Sequence, residues 1–132
     1  MPTRKVQLVN NEVYHVFNRS TGSIPIFSDK RELRKFIFSM TFYQNIDTPM
    51  KLSLFTTLSK ERKGEILQKL KNLNRKFVEI IAYCIMPTHF HFVFKQLVDE
   101  GIKEYIRLIS NSYSHYFNTR NDRSGSVFGG RF

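Results

Sequence analysis

The 132-residue sequence predicts one α+β domain, and three observations carry that prediction. Residues 77–86 and 89–96 read as two apolar strands joined by the tight turn Pro87-Thr88. Two stretches, 30–43 and 101–118, place apolar residues at the 3.6-residue period of amphipathic helices. A further short strand lies near the N-terminus, at residues 13–19. Strands and helices mixed around an antiparallel hairpin bury their apolar faces against one another as an α+β sandwich.

Taken in order, strand 13–19 sets Tyr14, Val16 and Asn18 on one face. Gly22 and Pro25 end it. Asp29, with Glu32 three residues on, has the spacing of a capping box that opens a helix. Leu33, Phe36, Ile37 and Met40 carry that helix to about Tyr43. Residues 44–58 stay open between a strand and an irregular insertion, with Asp47-Thr48-Pro49 as a turn. From Ser59 a basic helix sets Ile66, Leu67, Leu70 and Leu73 on one side. Lys60, Arg62, Lys63, Lys69 and Lys71 line the other, diluted by Glu61 and Glu65, which fits a solvated face. After the central hairpin, Gly101 precedes a helix to about Asn118, with Ile102, Tyr105, Ile106, Ile109, Tyr113 and Tyr116 as its apolar stripe. Residues 119–132 form a polar, basic, Gly-rich tail.

The charge balance narrows the partners. Lys and Arg outnumber Asp and Glu 21 to 11, a net charge of +10. Such an excess points to a polyanion, because each neutralised phosphate releases counterions; a solvated basic surface is the plainer alternative. With 13 Phe, most rings must fill the core, but a few exposed ones would stack on unpaired bases. Cys84 is the single cysteine, so an intrachain disulfide and a Cys-based zinc cluster are excluded. Inside an apolar strand it reads as an inert small hydrophobe. Met1 to Lys5 carry no signal-peptide apolar run, and no stretch approaches a membrane span, so a cytoplasmic protein without a membrane partner is expected.

The strand His89-Phe90-His91-Phe92-Val93-Phe94 carries the chemistry. Side chains alternate along a strand, so His89 and His91 share one face while the phenylalanines share the other. Residues two apart stand about 7 Å from each other along the strand, close enough for two imidazoles to share one divalent cation. The bland alternative is a pair of half-exposed strand histidines. His15 is placed either under the helices or beside the metal face. His115, beside Ser114 on the exposed side of its helix, is either solvated or a phosphate contact.

Met86-Pro87-Thr88-His89-Phe90-His91-Phe92 resembles the Met-Pro-Asn-His-x-His-apolar signature of the single-tyrosine HUH transposases, the IS200-like group that includes the REP-associated tyrosine transposases. Val13 to Arg19 resembles that family's first strand, Ile26 to Asp29 the start of its first helix, Ser112 to Asn118 a later helix, and Arg123 to Phe132 the basic Gly-rich segment beyond it. Thr88 stands where the family usually has Asn. The resemblance implies a ferredoxin-like antiparallel sheet with helices on one face and the metal site on the other. It also implies a homodimeric DNA transposase domain of a prokaryotic mobile element, acting on single-stranded or hairpin DNA. His89 and His91 would bind Mg2+ or Mn2+, and strands would be cut and rejoined through a 5′-phosphotyrosine.

The sequence departs from that pattern at the nucleophile. In the REP-associated branch the catalytic tyrosine lies on a later helix with a Tyr-x-x-x-Asn motif, which also supplies the third metal ligand. No tyrosine follows residue 119 here, so the expectation is a truncated chain or service by another tyrosine. Tyr113 and Tyr116 are the local substitutes, but both fall on an apolar stripe that favours core packing. Arg120, Arg123 and Arg131, interleaved with Gly125, Gly129 and Gly130, would clamp a DNA backbone; a disordered basic tail is the alternative. The rival function is a truncated or domesticated relative that holds hairpin DNA without cutting it. A two-histidine hydrolytic phosphodiesterase needs two His-x-Ser/Thr motifs, and this sequence has none.

Overall fold

The computed structural model describes residues 7–130 and 132. Its elements run β1 (Val13–Arg19), α1 (Lys30–Tyr43), α2 (Leu52–Phe55), α3 (Lys60–Leu73), β2 (Val78–Met86), β3 (His89–Gln96) and α4 (Gly101–Arg120). The three strands form one antiparallel sheet in the order β1-β3-β2. A β-α-β-β-α order with the third strand between the first two matches the first five elements of the ferredoxin-like β-α-β-β-α-β arrangement, with α2 and α3 inserted before β2. Met1 to Val6 and Arg131 lie outside the described residues, and with them the reading of the N-terminus.

The alternation of β3 sets the layers. Phe90, Phe92 and Phe94 are fully buried, while the residues between them are half-buried on the opposite face. Phe36 of α1 and Tyr105 and Tyr113 of α4 complete the buried layer, with Phe36 5.8 Å from Phe90 and Tyr105 5.4 Å from Phe94 between ring centroids. Burying each such ring contributes roughly 2–3 kcal/mol, so the helices are held to one face of the sheet by β3's phenylalanines.

The helix ends follow the sequence closely, with one difference. Asp29 caps α1 by accepting the Glu32 N–H at 2.8 Å. The reciprocal half of the capping box is not made. The Glu32 carboxylate is buried and accepts instead from Asn121 at 3.2 Å, and it stands 3.5 Å from the Arg120 guanidinium. A buried carboxylate needs a cation more than it needs one backbone N–H, so it ties α1 to the end of α4. Ser59 caps α3 by accepting the Arg62 N–H. At the start of α4, Glu100 is left-handed with φ 59, and Gln96 of β3 replaces a cap by accepting the Ile102 N–H.

Residues 44–58 resolve into a short helix inside an insertion. Residues 44–46 and 75–77 close its base: the Phe77 N–H donates to Gln44 O, the Ile46 N–H to Arg75 O, and Arg75 pairs with Asp47 at 2.9 Å. The expected apolar side of α3 is narrower than its spacing suggested. Ile66 and Leu70 are buried, but Leu67 and Leu73 stay exposed, because the helix covers the body through one edge only.

Two further expectations are corrected. The disordered alternative for the tail does not hold for its described residues 119–130: Val127 and Phe128 are buried in the main core. The Thr21 N–H donates to Val127 O and the Gly129 N–H to Arg19 O, so the tail lies along the end of β1. Cys84 is exposed rather than buried. The register of β2 slips between Ile80 and Ala82, and this bulge exchanges the faces of every later residue. Val78 and Ile80 face the helices before it. Tyr83 and Ile85 share that face after it, which turns Cys84 and Met86 to the open side.

Candidate functional site on the open face of the sheet

The open face is assembled from three strands whose alternation is in phase. Val13, His15, Phe17 and Arg19 of β1 are all exposed, and β3 adds His89, His91, Val93 and Lys95. Cross-strand register places Arg19 opposite His89 and Phe17 opposite His91. On the other flank, Met86 stands opposite His89 and Cys84 opposite His91.

His89 and His91 stand side by side with ring centroids 5.2 Å apart, their planes nearly perpendicular at 86°. The turn before them is fixed from below: the Ser20 N–H donates to Thr88 O, and the Ile26 and Phe27 N–H groups both donate to Pro87 O. Each imidazole has one nitrogen engaged. Nδ1 of His89 is 3.1 Å from Thr88 Oγ1, and Nδ1 of His91 is 3.0 Å from Nε2 of His15. Among the described residues neither Nε2 of the pair has a hydrogen-bonding partner. With Nδ1–H donating to Thr88 Oγ1 or His15 Nε2, each Nε2 keeps an unengaged lone pair. That is how metal-ligating histidines are commonly oriented from behind.

Thr88 thus has a task in this site, as a hydrogen-bond partner of His89. His15, left open between two faces, stands on the open face with the histidine pair, and its ring lies 2° from parallel to His91 at 5.2 Å. The His91 imidazolium is disfavoured, first by partial desolvation among its neighbours and then by the nearby His15, His89 and Arg19, so the ring stays neutral more readily than an ordinary histidine. Neutral nitrogen is what a cation requires.

The donor set fits a divalent cation in part. Two imidazole nitrogens suit manganese or zinc better than magnesium, which prefers oxygen. Among the described residues no group of three or more His, Cys, Asp or Glu side chains is arranged to hold a metal. His89 and His91 could supply two ligands to a cation, with the others drawn from water, phosphate oxygen or another segment.

The tyrosines lie elsewhere. The Tyr113 hydroxyl is buried and donates to the Ile26 carbonyl, and burial raises its pKa far above the ordinary phenol, with the nearby Glu32 adding to the effect. Tyr116 is half-buried on α4 with Lys35 Nζ 5.3 Å from its ring centroid. Both sit on the helix that covers the opposite face of the sheet. Tyr14 and Tyr83 share the helix face by register, and Tyr43 and Tyr105 are buried. Among the described residues no tyrosine stands on the face that holds the histidines.

The arginines of the tail have internal tasks. Arg120 lies 2.8 Å from Asp29 and 3.5 Å from Glu32, tying α4 to α1. Arg123 donates to Asn118 Oδ1 at 2.8 Å and to Ser126 O at 3.3 Å, with its guanidinium 5.7 Å from the Phe117 ring centroid. Arg123 thereby holds the turn that sends the tail back to the core. Arg131 lies outside the described residues, and His115 is exposed on α4, away from the open face. The cation that does stand at the histidines is Arg19, which the alternation of β1 places in phase with His15. Period-two spacing from His15 was the signal that could have found both Arg19 and Phe17.

Residues 48–132 match the family model described as transposase, IS200 like. No curated protein and no solved structure matches the chain. Among the described residues no helix is long and apolar enough to cross a membrane.

Proposed function

The chain belongs to the IS200-like transposase family, and from that premise we propose that its open sheet face binds single-stranded or hairpin DNA and holds a scissile phosphate at His89 and His91. The observation that carries this reading is the paired imidazoles with both Nε2 atoms unengaged, beside Arg19 and on a chain of net charge +10. A bound divalent cation, Mn2+ or Mg2+, would supply Lewis-acid stabilisation of charge on the phosphate. His89 and His91 would orient the phosphate, and Arg19 would balance its charge from the adjoining strand. Cleavage and rejoining through a 5′-phosphotyrosine requires a phenolate at this face, and none of this chain's six tyrosines stands there within one protomer. In a prokaryotic homodimer a second copy would meet the first along the unpaired edge of β2, where Ile81, Tyr83 and Met86 are exposed.

The tyrosine placement also favours a second reading, a family member that holds hairpin DNA without cutting it. A covalent-adduct assay separates the two. The protein is mixed with labelled single-stranded hairpin oligonucleotides and Mn2+ or Mg2+, then resolved on a denaturing gel. An adduct that disappears in His89→Ala is the expected mark of the nuclease, and peptide mapping names its tyrosine. Binding without adduct supports the holding function. Absence of binding refutes both.

A further inference from the structure

Among the described residues Phe17 is the one large apolar ring on the open face, and the histidine chemistry does not use it. Its side chain is held without being covered: the residue is 53 % exposed, yet its ring lies 5.4 Å from His15 and 5.8 Å from His91, within 27° and 25° of parallel. His15 and His91 are themselves nearly coplanar in orientation, at 2°. Three roughly parallel aromatic rings therefore project from two neighbouring strands of an antiparallel sheet whose other face is packed with helices. Arg19 follows Phe17 on the same face, and Lys95 stands at the far end opposite Val13.

A half-exposed phenylalanine among polar neighbours gains little from folding, so its contribution lies in what it contacts from solvent. The ligand class that matches a flat apolar ring flanked by cations is an unpaired nucleobase on its phosphate backbone. Aromatic side chains on adjacent strands of an open antiparallel sheet face are a known physical solution to that problem, because unstacked bases splay onto them. The ring is also pre-oriented by the two imidazoles, which lowers the ordering cost of binding.

We propose that Phe17 is a stacking platform for an unpaired nucleobase adjoining the phosphate held at His89 and His91. This rests on the DNA reading above and adds a base subsite to it. Every base has a π-face, so the platform is tolerant of sequence; it selects unpaired over paired DNA.

The test uses the full chain and a single-stranded oligonucleotide carrying one 2-aminopurine, moved along the strand, with an abasic site at the same positions as a control. Stacking on Phe17 quenches the fluorophore at one position, and the abasic oligonucleotide binds more weakly. Phe17→Leu keeps an apolar side chain and removes the π-face; it is expected to abolish the quenching and weaken binding about 5- to 150-fold. Phe17→Tyr is expected to retain both. The exposed position makes either variant tolerable to the fold, and circular dichroism melting checks that. His89→Ala is expected to keep the quenching while losing the metal-dependent component of binding. If Phe17→Leu binds like the parent and the abasic site costs nothing, the platform is overturned while the DNA reading stands. Unchanged affinity together with an altered oligomeric state overturns it in favour of a protein contact. Failure of the parent protein to bind any single strand overturns both.

Discussion

Truncating Phe128 tests whether the C-terminal tail belongs to the core or merely lies on it. Phe128 is 7 % exposed, with its ring centroid 5.6 Å from Phe90, 6.4 Å from Phe27 and 6.5 Å from Tyr113. Removing a buried phenylalanine ring costs about 3–5 kcal/mol, made up of lost transfer energy and the cavity left behind. Phe128 sits at the margin of the core on a segment that can partly collapse, so Phe128→Ala should cost about 3 kcal/mol. With a urea slope of about 2 kcal/mol per molar for a domain of this size, the unfolding midpoint falls by about 1.5 M. The melting temperature should drop by about 10 °C. Equilibrium urea denaturation followed by circular dichroism reads this directly. Phe128→Leu, which keeps most of the volume, should cost less than about 1.5 kcal/mol. If the tail is held only by its backbone hydrogen bonds, Phe128→Ala behaves as a surface change worth under about 0.5 kcal/mol, and a midpoint shift below about 0.3 M refutes the argument.

Two further predictions concern the helix cap and the histidines. The Asp29 carboxyl titrates below its ordinary value of 3.8, first because it accepts the Glu32 N–H and then because of Arg120. Its contribution to stability is therefore fully present above that value and is lost as pH falls below it, toward the lowered folded value. Urea midpoints measured from about pH 6 down to about pH 3 should decline less steeply in Asp29→Asn than in the parent; equal slopes would remove the cap from the acid response. His15→Ala should release Nδ1 of His91, visible as a change in the His91 tautomer balance in long-range proton–nitrogen correlation spectra. The same variant should bind Mn2+ about 10-fold more weakly, as measured by titration calorimetry, and equal affinity would show that His15 does not orient His91.

Much of the fold is legible in local pattern. Asp29 and Ser59 sit three residues before the N–H groups they cap, and those spacings survive any tertiary context. Phe90, Phe92 and Phe94 alternate with His89 and His91, so a greasy face and an imidazole face follow from strand geometry alone. The stretch 44–58 was less legible, because short segments without a strong period are settled by what they pack against. The partners of Glu32 were hidden for the same reason. Its spacing fits a local cap, but Arg120 and Asn121, nearly ninety residues away, compete for it and win.

Composition and period thus dictate a basic α+β chain with two histidines on one face of a strand. The site around them depends on cross-strand register, which no local window contains. The slip between Ile80 and Ala82 turns Cys84 and Met86 to the open side. The pairing of β1 with β3 brings His15 within hydrogen-bonding distance of His91 and sets Phe17 opposite it. The return of Phe128 to the core moves Gly129 beside Arg19. Each is a long-range choice made by burying the phenylalanines of β3. Alternation tells which residues share a face, and only packing decides which strands, in which register, share a sheet.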